Sequence, residues 1–152
     1  MAGGVARHGG RSAARRRALD LLYEADVLDQ PIAVVLARWL HRAEEPGGGD
    51  QPRPDPYTVE LVQGVDRLGE ELDARIRAAA EHWRLERMPL VDRNILRLGV
   101  YELVERGEVP TSVVVSEAVE LAKLLSTDDS GRFVNGVLGA IARTVRRPTP
   151  KR

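Results

Sequence analysis

The fold turns on Met88-Pro89-Leu90-Val91-Asp92-Arg93-Asn94-Ile95-Leu96-Arg97-Leu98-Gly99-Val100-Tyr101-Glu102-Leu103. Pro89 suits the opening of a helix, because the N–H it lacks would be unpaired in a first turn anyway. Behind it, Val91, Ile95 and Leu98 form one apolar row, which skips Glu102; Leu96, Val100, Leu103 and Val104 form a second. A surface helix needs an apolar stripe only about 100° wide, and two rows cover most of the circumference. The pattern predicts a central helix over 90–105 with other helices packed around it. Gly99 costs such a helix roughly 1 kcal/mol against alanine, a cost that close approach of a neighbouring backbone would explain.

Toward the C-terminus, Gly107-Glu108-Val109-Pro110 reads as a turn and Thr111 or Ser112 as a helix cap. A helix over 112–125 carries Val115, Ala118, Val119, Ala122 and Leu125 at helical spacing. Asp128, Asp129 and Ser130 offer caps to a last helix with the stripe Val134, Val137, Leu138, Ile141 and Val145, which Pro148 stops. Toward the N-terminus, Asp55-Pro56 supplies an N-cap and first-turn pair. Leu61, Val65, Leu68, Leu72, Ile76 and Ala79 keep one stripe along a long helix from Tyr57 to about Trp83. The Gly- and Pro-rich stretch 44–55 is a loop. In a helix over 31–43, Ile32, Val35, Leu36, Trp39 and Leu40 give an apolar face. One over 12–28, capped by Ser12 and ended by Asp29-Gln30-Pro31, carries Ala14, Ala18, Leu21, Leu22, Ala25 and Leu28 at helical spacing. Apart from Val113-Val114-Val115, nothing reads as a strand. The expectation is an all-α chain of six to seven helices: a disordered tail over 1–10, a helical domain over 11–147 in two parts (11–84 and 85–147), and a basic tail over 148–152.

Composition narrows the chemistry. The 152 residues suffice for one domain with a real core. No stretch approaches the roughly 20 apolar residues of a membrane span, and no apolar run follows the N-terminal arginines as a secretory signal requires. Cysteine is absent, which removes disulfides and thiolate sites and fits a cytoplasmic protein. Net charge is zero, but unevenly distributed. Arg7, Arg11, Arg15, Arg16 and Arg17 precede the first acidic residue, Asp20; Arg132 and then Arg143, Arg146, Arg147, Lys151 and Arg152 follow the last, Asp129. Basic blocks of this kind mark either a polyanion partner or solvated ends.

Catalytic signatures are missing. His8, His41 and His82 lie in separate segments without metal-ligand spacing. Gly47-Gly48-Gly49 lacks the Lys-Ser/Thr pair of a phosphate-binding loop. Carboxylate pairs such as Glu70/Glu71 and Asp128/Asp129 read as solvated or capping. Neither a cofactor nor a metal is expected. The first helix is the better site: Arg11 and Arg15 share a face, Arg16 and Arg17 widen it, and Tyr23 follows two turns on. Arginines so placed contact successive phosphates, and a tyrosine stacks on an unpaired base or packs in a core. Phe133, the only phenylalanine, sits one residue off its helix's stripe and admits the same two readings.

Four segments carry a family resemblance: Arg11-x-x-Ala14-Arg15-x-x-Ala18-Leu19-x-x-Leu22-Tyr23; Asp92-Arg93-Asn94-Ile95-Leu96-Arg97-Leu98-Gly99-Val100-Tyr101-Glu102-Leu103; Glu117-Ala118-Val119-Glu120-Leu121-Ala122-Lys123; and Ser130-Gly131-Arg132-Phe133-Val134-Asn135-Gly136-Val137-Leu138. In this order and spacing, from about Arg11 to Arg143, they resemble the bacterial transcription antitermination factor NusB family. The resemblance implies an all-helical fold in two helical subdomains and binding rather than catalysis. It implies binding of boxA RNA in ribosomal RNA leader transcripts together with NusE, a small-subunit ribosomal protein, within an elongation complex with RNA polymerase. The matching positions make Arg11, Arg15, Arg16, Arg17, Tyr23, Asp92, Arg93, Asp129 and Phe133 the implied RNA contacts, with Asp92 and Arg93 in an exposed first turn of the central helix. The sequence departs from the family at Val115-Ser116-Glu117, where Ile-Asn-Glu is common, and in the loop 44–55.

Two other readings remain open at this point. One is a protein-interaction scaffold whose arginine helix is solvated or buried in a homodimer; a homodimer that dissociates on RNA would reconcile it with RNA binding. The other is a free-standing domain like the N-terminal domain of some RNA cytosine methyltransferases, although the chain ends before any methyltransferase domain and lacks its cysteines.

Overall fold

The structure is a computed structural model that describes residues 2–47 and 52–146, with side chains from Gly10 onward. Among these residues are six α-helices: α1 (Ala2–Leu28), α2 (Ile32–Glu44), α3 (Pro56–Ala79), α4 (Leu90–Glu105), α5 (Thr111–Leu125) and α6 (Asp128–Val145). A 3-10 turn, Leu85–Arg87, precedes α4, and there is no strand among the described residues. The Val113-Val114-Val115 run lies in α5. The triple glycine's last two residues and the tail at 148–152, with its Pro148 stop, lie outside the described residues.

The chain divides into two compact units, Met1–Arg67 and Leu68–Arg152, so the division falls inside α3 rather than near residue 84. The two halves of this helix answer to different neighbours. In the first unit, Thr58 Oγ1 donates to the Ala14 carbonyl at 2.9 Å, tying α3 to α1 in a buried position. In the second, Arg97 of α4 forks onto Asp73, Nε to Oδ1 at 2.8 Å and the second nitrogen to Oδ2 at 2.9 Å. Two parallel N–H···O bonds fix direction as well as distance.

In the first unit α1 packs on α2, burying Ala18, Leu21, Leu22, Ala25, Val35 and Leu36. Helix α1 begins at Ala2, not at Ser12, so the segment expected as a disordered tail is helical backbone up to Gly10. No proline interrupts 2–28, and an established helix adds a hydrogen bond for each residue it fixes. It ends as read, at Asp29. That residue takes φ 52° while the Asp29 and Gln30 amides bond back to the Asp26 and Ala25 carbonyls, a left-handed closure that satisfies carbonyls the helix leaves unpaired. Asp55 caps α3 as expected, its Oδ1 accepting from the Tyr57 amide at 2.7 Å.

The second unit is built on α4, which packs against α5 and α6, themselves packed together. Ile95, Leu96, Leu98, Val100 and Leu103 are buried, as two apolar rows require. Glu102, where the first row breaks, is buried as well, at 2 % exposure. Gly99 does mark a close approach, but of a side chain rather than a backbone: a Cβ there would lie 2.8 Å from Leu138 Cδ1 of α6. Two caps differ from the reading. Pro110 precedes α5 without a side-chain cap. Thr127, not Asp128, caps α6, its hydroxyl accepting from the Ser130 amide at 3.0 Å. Asp128 and Asp129 occupy the first turn instead, where the helix dipole favours negative charge.

Arg146 closes the unit. Its guanidinium donates to the carbonyls of Glu102 (3.0 Å), Leu103 (3.0 Å), Arg106 (2.8 Å) and Val109 (2.5 Å) and to Thr111 Oγ1 (3.1 Å). A residue that sequence alone groups with a basic C-terminal block therefore caps the negative end of α4 and pins the turn into α5.

Candidate nucleic-acid interface

In the first unit the four arginines of α1 split into two pairs. Arg11, exposed, and Arg15 both lie over the Tyr57 ring, their Cζ atoms 4.4 and 5.8 Å from its centroid. Arg15 is buried, at 5 % exposure, so its stem packs into the core and it is not part of an open basic row. Arg16 and Arg17 are half-buried. Arg16 Nε sits 3.9 Å from Asp20. Arg17 donates to the Pro52 carbonyl at 3.0 Å and lies over the Trp39 ring at 5.0 Å. Burial pushes the Asp20 carboxyl above its ordinary range, against the opposing charges of Arg16 and Arg17. Tyr23 is 43 % exposed, so its ring is a surface feature and not a core residue.

In the second unit the structure brings three implied contacts to one cleft of about 220 Å³: Asp92, Asp129 and Phe133, with Trp83, Arg87, Met88, Pro89 and Ser130 completing its lining. The Phe133 and Trp83 rings meet edge to face, centroids 5.5 Å apart and planes at 61°. Trp83 is 63 % exposed at the rim.

Asp92 is not in an exposed turn. It is buried, at 4 % exposure, and its Oδ2 accepts from the Ser130 hydroxyl at 2.7 Å. Its row on α4 faces the α6 N-terminus, which draws it inward. The other oxygen, Oδ1, is buried without a hydrogen-bond partner among the described residues, and an unpaired buried acceptor is costly to maintain. Arg93 is also turned inward from the expected face. It donates to the carbonyls of Glu86 (3.2 Å) and Met88 (3.1 Å), holding the 3-10 turn that carries Arg87. The Glu86 carboxyl is held below its ordinary range by its own backbone N–H, then by the Arg77 guanidinium at 2.8 Å. Asp129 is exposed and paired with Arg132.

Sequence reasoning missed Trp83 and Arg87. Periodicity gave no signal for Trp83: position 83 continues the stripe by one more step of four, and only the end of α3 at Ala79 takes the ring out of that stripe.

No group of three or more His, Cys, Asp or Glu residues suits a metal ion among the described residues. No helix among them is long and apolar enough to cross a membrane.

A sequence model of the NusB family matches residues 12–143. The transcription antitermination protein NusB of Salinispora arenicola is 49% identical over 137 residues, 90% of this chain and 98% of that protein. Among solved structures, T. maritima NusB is 30% identical with a TM-score of 0.73, covering 88% of this chain and 90% of that one. A chain from the crystal structure of antitermination factors NusB and NusE in complex with dsRNA is 30% identical with a TM-score of 0.72, covering 88% and 96%. With a match across nearly its whole length, in sequence and in fold alike, the chain belongs to the NusB family of transcription antitermination proteins.

Proposed function

We propose that this protein is an RNA-binding antitermination factor. It binds boxA RNA of ribosomal RNA leader transcripts together with NusE, in the cytoplasm, and supports processive elongation by RNA polymerase. It acts by binding and performs no catalysis. The observation that carries the RNA reading is the cleft of the second unit. Two aromatic rings stand at its mouth and a buried carboxylate oxygen in its lining lacks a donor. An unstacked base supplies both missing partners, a flat apolar face and N–H groups on its edge. Arg87 at the same cleft and Arg11 on α1 supply cations for the phosphates. The similar chain from an assembly of NusB, NusE and dsRNA supports RNA and NusE as the partners.

The roles of the implied contacts divide accordingly. Phe133 and Trp83 stack; Asp92 and Asp129 accept from base or sugar; Arg11 and Arg16 neutralise phosphate; Tyr23 offers a second platform. Arg15 and Arg93 hold the scaffold that presents these groups. A resting homodimer that masks α1 belongs to the same reading; sedimentation with and without RNA and NusE tests it.

The main test is boxA RNA binding by fluorescence anisotropy, with and without NusE. Phe133→Ala is expected to weaken binding by the roughly 1–3 kcal/mol of a base–aromatic stack while thermal stability changes little. Unchanged affinity in this variant and in Trp83→Ala would remove the cleft from the interface.

A further inference from the structure

We propose that the first unit carries a separate nucleotide subsite between α1 and α2, where one unpaired RNA base lies on the Arg17 guanidinium and Arg42 takes its neighbouring phosphate. This rests on the RNA-binding reading but not on the aromatic cleft of the second unit.

The site is a cleft of about 220 Å³ lined by Arg17, Asp20, Glu24, Trp39, Arg42 and Pro52, with Ala43. Its parts are fixed in place. Glu24 accepts from Trp39 Nε1 at 3.2 Å through one oxygen and from Arg38 at 3.0 Å through the other, which sets the indole plane. Arg17 lies over that plane and is held by the Pro52 carbonyl. A solvated arginine samples many rotamers and loses them on binding, whereas one already held between a ring and a carbonyl has little left to lose. Its planar, weakly hydrated guanidinium is suited to stacking. The cleft therefore offers a flat cationic face, of the kind on which single-stranded bases stack.

Two further features favour a nucleotide over a bare anion. Arg42, in the last turn of α2, is exposed and has no salt bridge or side-chain hydrogen bond among the described residues, so its charge is available for a phosphate. Asp20 would repel a lone anion, but its carboxylate accepts from the amino or imino N–H of a base. A phosphopeptide would satisfy Arg42 and leave the flat face and the acceptor unused.

The experiment uses the full chain labelled with 5-fluorotryptophan and a short single-stranded RNA containing boxA. The two tryptophans, Trp39 and Trp83, give separate fluorine resonances. RNA is expected to shift the Trp39 resonance. Arg17→Lys keeps the charge and loses the plane, and is expected to weaken binding at least about fivefold, the low end of a stacking contribution. Arg42→Ala, at an exposed position, is expected to fold normally and to reduce the slope of log K against log salt by about 0.7, one phosphate's share on a single strand. An unmoved Trp39 resonance under saturating RNA, or full affinity in Arg17→Lys together with an unchanged slope in Arg42→Ala, overturns the subsite and leaves RNA binding intact. Absence of any RNA binding by the unmodified chain overturns both.

Discussion

Two arginines of this chain look alike in sequence and do opposite work. Arg11 is exposed, while Arg146 has its guanidinium spent on five acceptors at the end of α4 and the turn beyond. A lysine brings one point of charge and no fork. Arg146→Lys is therefore expected to lose at least one charge-assisted bond, about 2–3 kcal/mol, read as a lower midpoint in urea denaturation. Asp20 gives the pH-dependent case. Burial raises its carboxyl in the folded state against the pull of Arg16 and Arg17, so the folded chain holds that proton more tightly than the unfolded one. Its contribution to stability is present at low pH and is lost as pH rises through the folded value. Asp20→Asn is expected to raise the melting temperature slightly at about pH 7, with the difference shrinking toward about pH 3, where the wild-type carboxyl is also neutral. A destabilised variant at neutral pH would mean that the ion pair with Arg16 outweighs the desolvation.

Helix α4 shows how an element is specified by more than its own periodicity. Its apolar rows predict a central helix, and Leu90–Glu105 is one. What the rows do not contain is the partner of each position. Gly99 is a glycine because Leu138 of α6 occupies the space of its Cβ, and Glu102 is buried although it breaks the row. Alanine at Gly99 gains about 1 kcal/mol of helix propensity but pushes on a fully buried leucine, and overpacking costs typically 1–3 kcal/mol. Gly99→Ala is expected to be destabilising by up to about 2 kcal/mol. Gly69→Ala in α3, where a Cβ meets nothing within 4 Å, is expected to gain roughly 0.5–1 kcal/mol. Chemical denaturation of the two variants side by side checks both signs. Asp92 and Leu98 divide the same helix by role. Leu98→Ala is expected to cost 2–5 kcal/mol, as core truncations do. Asp92→Asn preserves size and is expected to fold, losing RNA affinity through the cleft; full affinity in that variant would make Asp92 a purely structural acceptor for Ser130.

At the scale of the molecule, the basic N-terminal block separates into an exposed arginine, two half-buried ones and a buried one. Arg11→Ala is expected to reduce the salt slope of RNA binding by about 0.7 on a single strand, with a stability loss of no more than about 1 kcal/mol from its contact with the Tyr57 ring. Arg15→Ala is expected to lower stability by roughly 1–3 kcal/mol, because a buried stem and its charge lose their surroundings. Equal effects of both on the salt slope would place Arg15 at the phosphates as well. All six helices were legible in the sequence, because helical periodicity, Asp55-Pro56 and Asp29-Gln30-Pro31 are local signals that need no partner. The start of α1 was not, because nothing local forbids a helix from running back through a proline-free segment. Of the candidate site, the family resemblance pointed to Asp129 and Phe133, and both line the cleft. The inward turn of Asp92, Arg93 and Arg15, and the presence of Trp83 and Arg87 beside Phe133, were not legible. By itself the sequence determined the helices, their order and the apolar faces that must be covered, since these follow from spacing and backbone chemistry within a few turns. Only the tertiary structure decided which charged side chains remain available for RNA, because exposure and hydrogen-bond partners belong to residues brought together from distant parts of the chain, as Ser130 is to Asp92.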